Sequence, residues 1–406
     1  NYKITIQYAN TTQISGGASE SGGKAGSEIV DNVTIEAPNI YAGVGLANNI
    51  VSKSFSMSHA KLIVFSKEIA EKGVKDMIET LVRSEEIRPD VFIAVANTTA
   101  NDYLTSVNPE MEVNPAQYYQ LIYQKNQLVG IPDGQLREFF TGLYTDNYDS
   151  ILPVAGVIEG AGGNSQNDDK GQSKDGQNEG SEGSSESLDS FESKSSDDKD
   201  ENEKEKDAEK NTSKYEYDIK NYVGGETAIE KKNKAEAIGA AVFEKDKMVG
   251  ELGEVETEIC KILKGDYTYS YLTYYNNDTP DIPITVKTTQ QKKPKYKIDT
   301  DKKTVDIELY IESDLYSLPA DYNVENKIED FERDVANYTS SACTEFINNF
   351  TKKYNSDILK LNEKVKYKFL TNNQYNWFKK NVGWSEYKFS VCTNFKVRRT
   401  GLIVRE

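Results

Sequence analysis

Histidine is almost absent: the 406-residue chain has one, His59. That excludes HExxH zinc sites and histidine-rich metal sites. Any Ser-His or Cys-His mechanism would have to use His59 as its base, and its position just before an apolar strand suits a hydrogen-bonded structural histidine better. Cysteine is scarce too. Cys260, Cys343 and Cys392 are far apart, odd in number and outside any CxxC pairing. They exclude a disulfide framework and a thiolate cage, and each reads as a small buried apolar residue. The sequence shows no run of 18 apolar residues that would cross a bilayer as a helix. It begins at Asn1 with no signal peptide in view, so its targeting information is expected upstream. P-loop and GxSxG patterns are missing, and the GxG at Gly43 and Gly45 has no third glycine. Among 66 acidic residues no pair stands out as a glycosidase pair. No catalytic, cofactor-binding or metal-binding residue is assigned, and no cofactor is expected. A positive field is lacking as well: the net charge is −17, and nucleic acid is not expected as a partner.

The charge is uneven. Residues 160–212 carry 16 acidic and 7 basic side chains and only four apolar ones, Ala161, Leu188, Phe191 and Ala208. Such a stretch cannot bury enough surface to offset an ordering cost of roughly 1–2 kcal/mol per residue, and it is expected to be disordered. A tether or polyelectrolyte sensor is one reading; a tolerated surface insertion is the plainer one.

What is present reads as α+β, with two or three sheet-and-helix domains in series. The expected division is an N-terminal α/β domain over 1–158, the acidic linker over 159–213, a middle domain over 214–290 and a C-terminal α+β domain over 291–406. Tyr2, Ile4, Ile6 and Tyr8 alternate as in a half-buried strand. Residues 15–27 are Gly/Ser-rich and read as a loop. Ala60–Phe65 is a buried strand. Ser66 is placed to cap a helix whose stripe is Ile69, Val74, Met77, Ile78, Leu81 and Val82 and which Arg88-Pro89 ends. Val91–Ala96 is a second apolar strand, completing a βαβ unit. Asn114-Pro115 starts another helix, one follows near 136–144, and Ile151–Ile158 closes the first domain. Further on, Tyr267, Tyr269, Tyr271 and Tyr275 share a strand face, which either packs on a helix, the preferred reading, or binds a sugar or a protein. Val305, Ile307, Leu309 and Ile311 alternate. A long helical stripe steps through Val324, Ile328, Phe331, Val335, Tyr338, Ala342, Phe346 and Phe350, and a late strand follows at Phe389–Val397. Arg398 and Arg399 at its end could meet lipid phosphates or an acidic partner.

Ser58–Ala96 (SHAKLIVFSKEIAEKGVKDMIETLVRSEEIRPDVFIAVA) resembles the signature of the Ger(x)C spore germination family through His59, Ala70-Glu71-Lys72-Gly73 and Ile87-Arg88-Pro89-Asp90. Ile238–Leu252, with Gly250, is similar to a second family segment. Asp357-Ile358-Leu359, Trp384 and the closing Val397-Arg398-Arg399-Thr400-Gly401-Leu402 are similar to its C-terminal end. The resemblance implies a non-enzymatic C subunit of a spore germinant receptor. It also implies a lipidated cysteine upstream of Asn1, attachment to the outer face of the inner spore membrane, and membrane-embedded A and B subunits as partners. His59, Gly73, Arg88, Pro89, Asp90, Gly250, Trp384, Arg398, Arg399 and Gly401 are then expected to be structural or interface residues. The helix face from Lys72 to Arg83, or the corner at Arg88–Asp90, is the expected partner contact. Two other readings stay open: a peptidoglycan hydrolase, and a pocket protein that senses the germinant itself.

Overall fold

The computed structural model describes residues 1–9, 30–108, 112, 114–124, 130–145, 147–158, 221–227, 233–276, 279–317, 327–354, 356–381 and 383–400. The acidic segment 160–212, the Gly/Ser stretch 15–27, Val324 and Gly401 lie outside them. The described residues belong to one contact unit, Asn1–Ala161 with Ile219–Glu406, and they form a mixed α+β fold with several sheets and helices in series.

The chain opens as an antiparallel hairpin of β1 (Tyr2–Ala9) and β2 (Val30–Ala37), followed by α1 (Ile40–Ala47). Then comes a five-stranded sheet in the order β3 (Leu62–Ser66), β4 (Phe92–Ala96), β5 (Ile151–Val157), β6 (Ala235–Glu244) and β7 (Lys247–Leu252). The first three are parallel and the last two antiparallel. Parallel strands are covered on both faces, and β4 is buried at every position. Its Ile93 and Val95 join one core with Ala70, Ile78 and Leu81, from α2 (Lys67–Lys72) and α3 (Lys75–Val82), and with Phe139. Phe92, Ala94 and Ala96 face a second core. There α4 (Ala100–Ser106) and α5 (Pro115–Gln124) supply Tyr103, Tyr119 and Tyr123 opposite Ala155, Ala235 and Ala237. Small strand residues make room for the rings, and the buried hydroxyls of Tyr103 and Tyr123 bond each other at 2.9 Å. α6 (Leu136–Thr145) leads into β5.

After α7 (Glu254–Lys264) a second sheet forms from β8 (Tyr269–Asn276), β9 (Thr279–Thr289), β10 (Lys295–Asp299), β11 (Thr304–Ser317) and β12 (Lys388–Arg399). β11 carries three neighbours. Its first half pairs with β10 and its second half with β9, while β12 runs parallel beside it. α8 (Ile328–Lys353) lies on this sheet through Phe331, Val335, Cys343, Phe346 and Phe350. The short helices α9 (Leu361–Val365) and α10 (Asn372–Asn381) connect α8 to β12.

β12 has one strand neighbour, so its other edge would present unpaired amides. α8 covers them. Asn348 accepts from Phe389 N at 3.1 Å and donates to Phe389 O at 3.0 Å, as a neighbouring strand would. Thr344 accepts from Val391 N at 3.0 Å, Ser340 from Thr393 N at 2.9 Å and Glu332 from Val397 N at 2.8 Å. Ser340, Thr344 and Asn348 sit four apart on the helix and meet alternate strand residues, and Glu332, two turns earlier, meets Val397. Asn348→Ala is expected to lower the unfolding free energy by ~1–3 kcal/mol, the cost of stranding a buried donor, measured by chemical denaturation. An unchanged midpoint would mean that water replaces the side chain there.

Several local expectations give way. The single helix after β3 is two, because Gly73 (φ +120°) ends α2 and the Val74 amide turns to Asp246 O at 2.9 Å. Ser66 makes no side-chain cap, and α3 stops at Val82, well before Arg88-Pro89. Cys260 and Cys343 are buried, but Cys392 is exposed, because it falls on the outer face of β12 with Ser390 and Asn394. The expected middle segment 214–290 is divided between two sheets: β6 and β7 complete the first, and β8 and β9 belong to the second.

Candidate interaction site

His59 ends a 3-10 turn (Met57–His59) just before β3 and is exposed. The same turn takes the Glu86 carboxylate on Met57 N at 3.1 Å, which fixes it beside the α3–β4 connection. That connection is the Arg88-Pro89-Asp90 corner. Arg88 grips Asp90 with two bonds of 3.0 Å, from Nε and from Nη2, and both side chains are more than half exposed. The hydrogen bonds from Arg88 hold the Asp90 carboxyl below its usual range. Pro89 O accepts from Arg137 N at 3.0 Å, so the corner's backbone is anchored to α6 while its charges face solvent. Because β3 and β4 are parallel, with Leu62 opposite Phe92, His59 and the corner lie at one end of the sheet. The two belong to one strand–helix–strand block.

Two glycines of the signature lie elsewhere, at the β6–β7 hairpin: Gly73 packs against its turn and Gly250 is on β7. A Cβ on Gly73 would come 2.6 Å from Asp246 Oδ2 at the hairpin turn. On β7, a Cβ on Gly250 would come 2.3 Å from the Tyr354 hydroxyl and 2.4 Å from its ring. Tyr354 follows the end of α8, so Gly250 is the seat for the C-terminal part of the chain. The next residues continue the joint. Ser356 Oγ donates to Phe243 O on β6 at 2.9 Å. Asp357 exchanges two hydrogen bonds with Asp149: Asp149 N donates to Asp357 O at 3.1 Å, and Asp357 N to the Asp149 side-chain Oδ2 at 2.9 Å. Its carboxylate takes the amides of Leu361 and Asn362 at 2.8 Å each. Burial pushes that carboxyl up to about 7, against the pull of those amides. Lys360 closes the joint through an ion pair with Glu138 and lies over the Tyr148 ring at 4.3 Å.

Trp384 is an anchor: buried, with Nε1 on Asn362 Oδ1 at 3.2 Å and its ring between Phe378 and Tyr387. Arg398 and Arg399 are exposed. Arg398 pairs with Glu312 across the parallel strands, and both arginines border an open depression of about 550 Å³ with Asp314. A small, partly open cavity by Asp149 and Glu138 holds only about 10 Å³, far below the several hundred Å³ of a ligand pocket. The tyrosine face departs from the preferred reading. Tyr267 is buried and bonds Thr288, but Tyr269 and Tyr271 turn outward, with Tyr271 against Tyr316 at 5.5 Å and the Lys287 ammonium 4.5 Å over the Tyr269 ring; the side chain of Tyr275 lies outside the described residues. Sequence reasoning missed Tyr354 and Asp149, whose roles depend on what they touch. Among the described residues no group of three His, Cys, Asp or Glu could hold a metal, and no helix is long and apolar enough to cross a membrane.

The model for the spore germination protein N-terminal domain matches residues 1–157, and the spore germination B3/GerAC-like C-terminal model matches residues 238–401. This chain belongs to the Ger(x)C family. That family comprises the C subunits of spore germinant receptors. The Ger(x)C chain is 27% identical to the spore germination protein GerQC of Bacillus cereus over 104 residues, 25% of this chain and 29% of that protein; the match thus spans less than a third of that relative. A solved structure, the crystal structure of the GerBC protein, superposes with a TM-score of 0.53 at 13% identity, covering 98% of this chain and 94% of that one. At that identity the likeness is one of fold. The boundary between the two matched regions passes through a single sheet in this Ger(x)C chain, since β3–β5 come from the first and β6–β7 almost wholly from the second.

Proposed function

We propose that this chain acts as a non-enzymatic C subunit of a spore germinant receptor and supports the nutrient response by assembling with membrane-embedded A and B subunits. A lipid anchor upstream of Asn1 would hold it on the outer face of the inner spore membrane. One observation carries the reading. The described signature residues divide into packed joints (Gly73 and Gly250, half-buried, and Trp384, buried) and exposed side chains (His59, Arg88 and Asp90 at one corner, Arg398 and Arg399 beside an open depression), and they do not converge on one enclosed cavity. That is the layout of a scaffold recognised from outside. The hydrolase and sensor readings would need an enclosing site, and a water-sized cavity and an open depression give them little support.

Charge reversal at the corner tests the proposal. Arg88→Glu with Asp90→Lys changes two exposed side chains, and the melting temperature should stay within about 2 °C, as for surface changes generally. Spores carrying only this variant should lose the nutrient response as fully as spores lacking the chain. A normal response would remove the corner from the assembly surface.

A further inference from the structure

Between Lys364 and Ser385 the sequence has five lysines (Lys364, Lys366, Lys368, Lys379 and Lys380) and no Asp or Glu, within a chain of net charge −17. The fold turns this stretch into a 3-10 turn (Lys366–Lys368) followed by α10, with some aromatics turned in and others left out. Phe369, Tyr375 and Phe378 point in and pack together, with ring centroids 4.9 Å and 5.9 Å from Phe369. Tyr375 and Phe378 are buried, and Trp384 backs Phe378. The inward aromatics pin the segment down. Tyr367, Leu370 and Trp377 are then left outside, at 78%, 94% and 64% exposure. Lys366 and Lys380 are exposed beside them, while Lys364, Lys368 and Lys379 reach oxygen partners on Leu359, Ile298 and Asn147.

Single exposed apolar side chains are ordinary, but three large ones within eleven residues, on a firmly packed base, mark a candidate partner surface. The chemistry here narrows what that partner is. Tryptophan and tyrosine suit the headgroup level of a bilayer, leucine the acyl boundary and lysine the lipid phosphates. The local charge is positive within a chain of net charge −17, so a negatively charged surface is drawn to this face. We propose that the face formed by Tyr367, Leu370 and Trp377, with Lys366 and Lys380, docks directly on an anionic lipid bilayer, giving this chain a membrane contact of its own in addition to any anchor or partner subunit. The face extends the membrane placement proposed above. A single acyl chain binds a bilayer only marginally and needs a second signal, and this face supplies one.

The test uses the full chain, without anchor or partners, so its failure would leave the assembly reading standing. Vesicles of phosphatidylcholine with one third phosphatidylglycerol are compared with phosphatidylcholine alone. Sedimentation should show binding to the anionic vesicles that weakens with salt. Trp377 is the exposed one of only two tryptophans, Trp384 being buried, so vesicles should shift the emission to the blue in the wild type and leave it unmoved in Trp377→Phe. Leu370→Ser with Trp377→Ala should cut binding by roughly tenfold or more, the scale of one buried apolar side chain, and Lys366→Glu with Lys380→Glu should do the same, with melting temperatures unchanged. Wild-type binding by either pair, or no vesicle binding by the parent chain, would overturn the proposal. So would loss of binding to purified receptor membrane subunits with vesicle binding intact, which would make this face a protein interface.

Discussion

Gly250→Ala is expected to destabilise the chain by ~1–3 kcal/mol, the range for overfilling a packed site, and to expose the link after α8 to protease. The added Cβ would lie within 2.5 Å of the Tyr354 hydroxyl and of two carbons of its ring. The ring has little room to withdraw, because it is buried, Phe350 stands 5.1 Å away and the Lys353 ammonium lies 4.9 Å over it. Moving Tyr354 also drags Ser356 and Asp357 from β6 and Asp149. The second half of the chain would lose its seat on the first sheet. Tyr354→Ala carries its own cavity cost, but in that background alanine at 250 should cost almost nothing. The double-mutant cycle therefore separates this contact from a general intolerance of β7 to side chains. Additive losses would show that Tyr354 is not what the glycine accommodates.

The second large effect lies at Asp357. Asp357→Ala would strand the amides of Leu361, buried, and Asn362, half-buried, at ~1–3 kcal/mol each, for a total of about 2–6 kcal/mol in denaturant unfolding. The same carboxyl makes stability depend on pH. Burial raises its folded pKa to about 7, above the unfolded value of about 3.9. The folded chain therefore keeps a proton that the unfolded chain has released. This contribution is fully present below about pH 4 and is lost as the pH rises towards 7. Glu258, raised to about 7 by burial despite hydrogen bonds from Ser270 and Tyr267, acts in the same sense. Carboxylates held low, such as Asp90 beside Arg88, act below about pH 4 and leave this window alone. Stability should thus decline between pH 4 and 7, by at most ~1.4 kcal/mol per unit from each group. In Asp357→Ala the slope should shrink to the share of Glu258 and of Asp133 and Glu254, whose carboxyls burial also raises. An unchanged slope would mean that Asp357 is already ionised at pH 4.

Much of the fold was legible because its main signals are local. VFIAVA reads as a doubly covered strand because all five residues of β4 are buried, and the stripe of α8 reads as a helix on a sheet because its large residues recur every three or four. β10 was missed because KYKID is mostly charged and earns its place only by pairing with β11. The break at Gly73 was missed because apolar spacing continues across it; what stops the helix is the hairpin around Asp246, some 170 residues later in the chain. Ser340, Thr344 and Asn348, at four-residue spacing beside the apolar stripe, were a readable sign that the helix covers a strand edge.

For the signature residues, the sequence distinguished them but could not say why each is there. The exposed Arg88–Asp90 pair looks the same in a linear reading as the glycines that seat other segments. Gly250 and Tyr354 are a hundred residues apart, and nothing in either stretch announces the other. Asp149 carries no motif, yet it is the partner of Asp357.

The most direct measurement of the central claim is gentle solubilisation of spore membranes containing the full-length tagged chain, followed by affinity purification and identification of what co-purifies in fixed ratio. A scaffold subunit read from its exterior should bring down two polytopic membrane proteins, and the Arg88→Glu, Asp90→Lys variant should bring down neither. Recovery of the chain alone under conditions that keep those two proteins together would contradict the account.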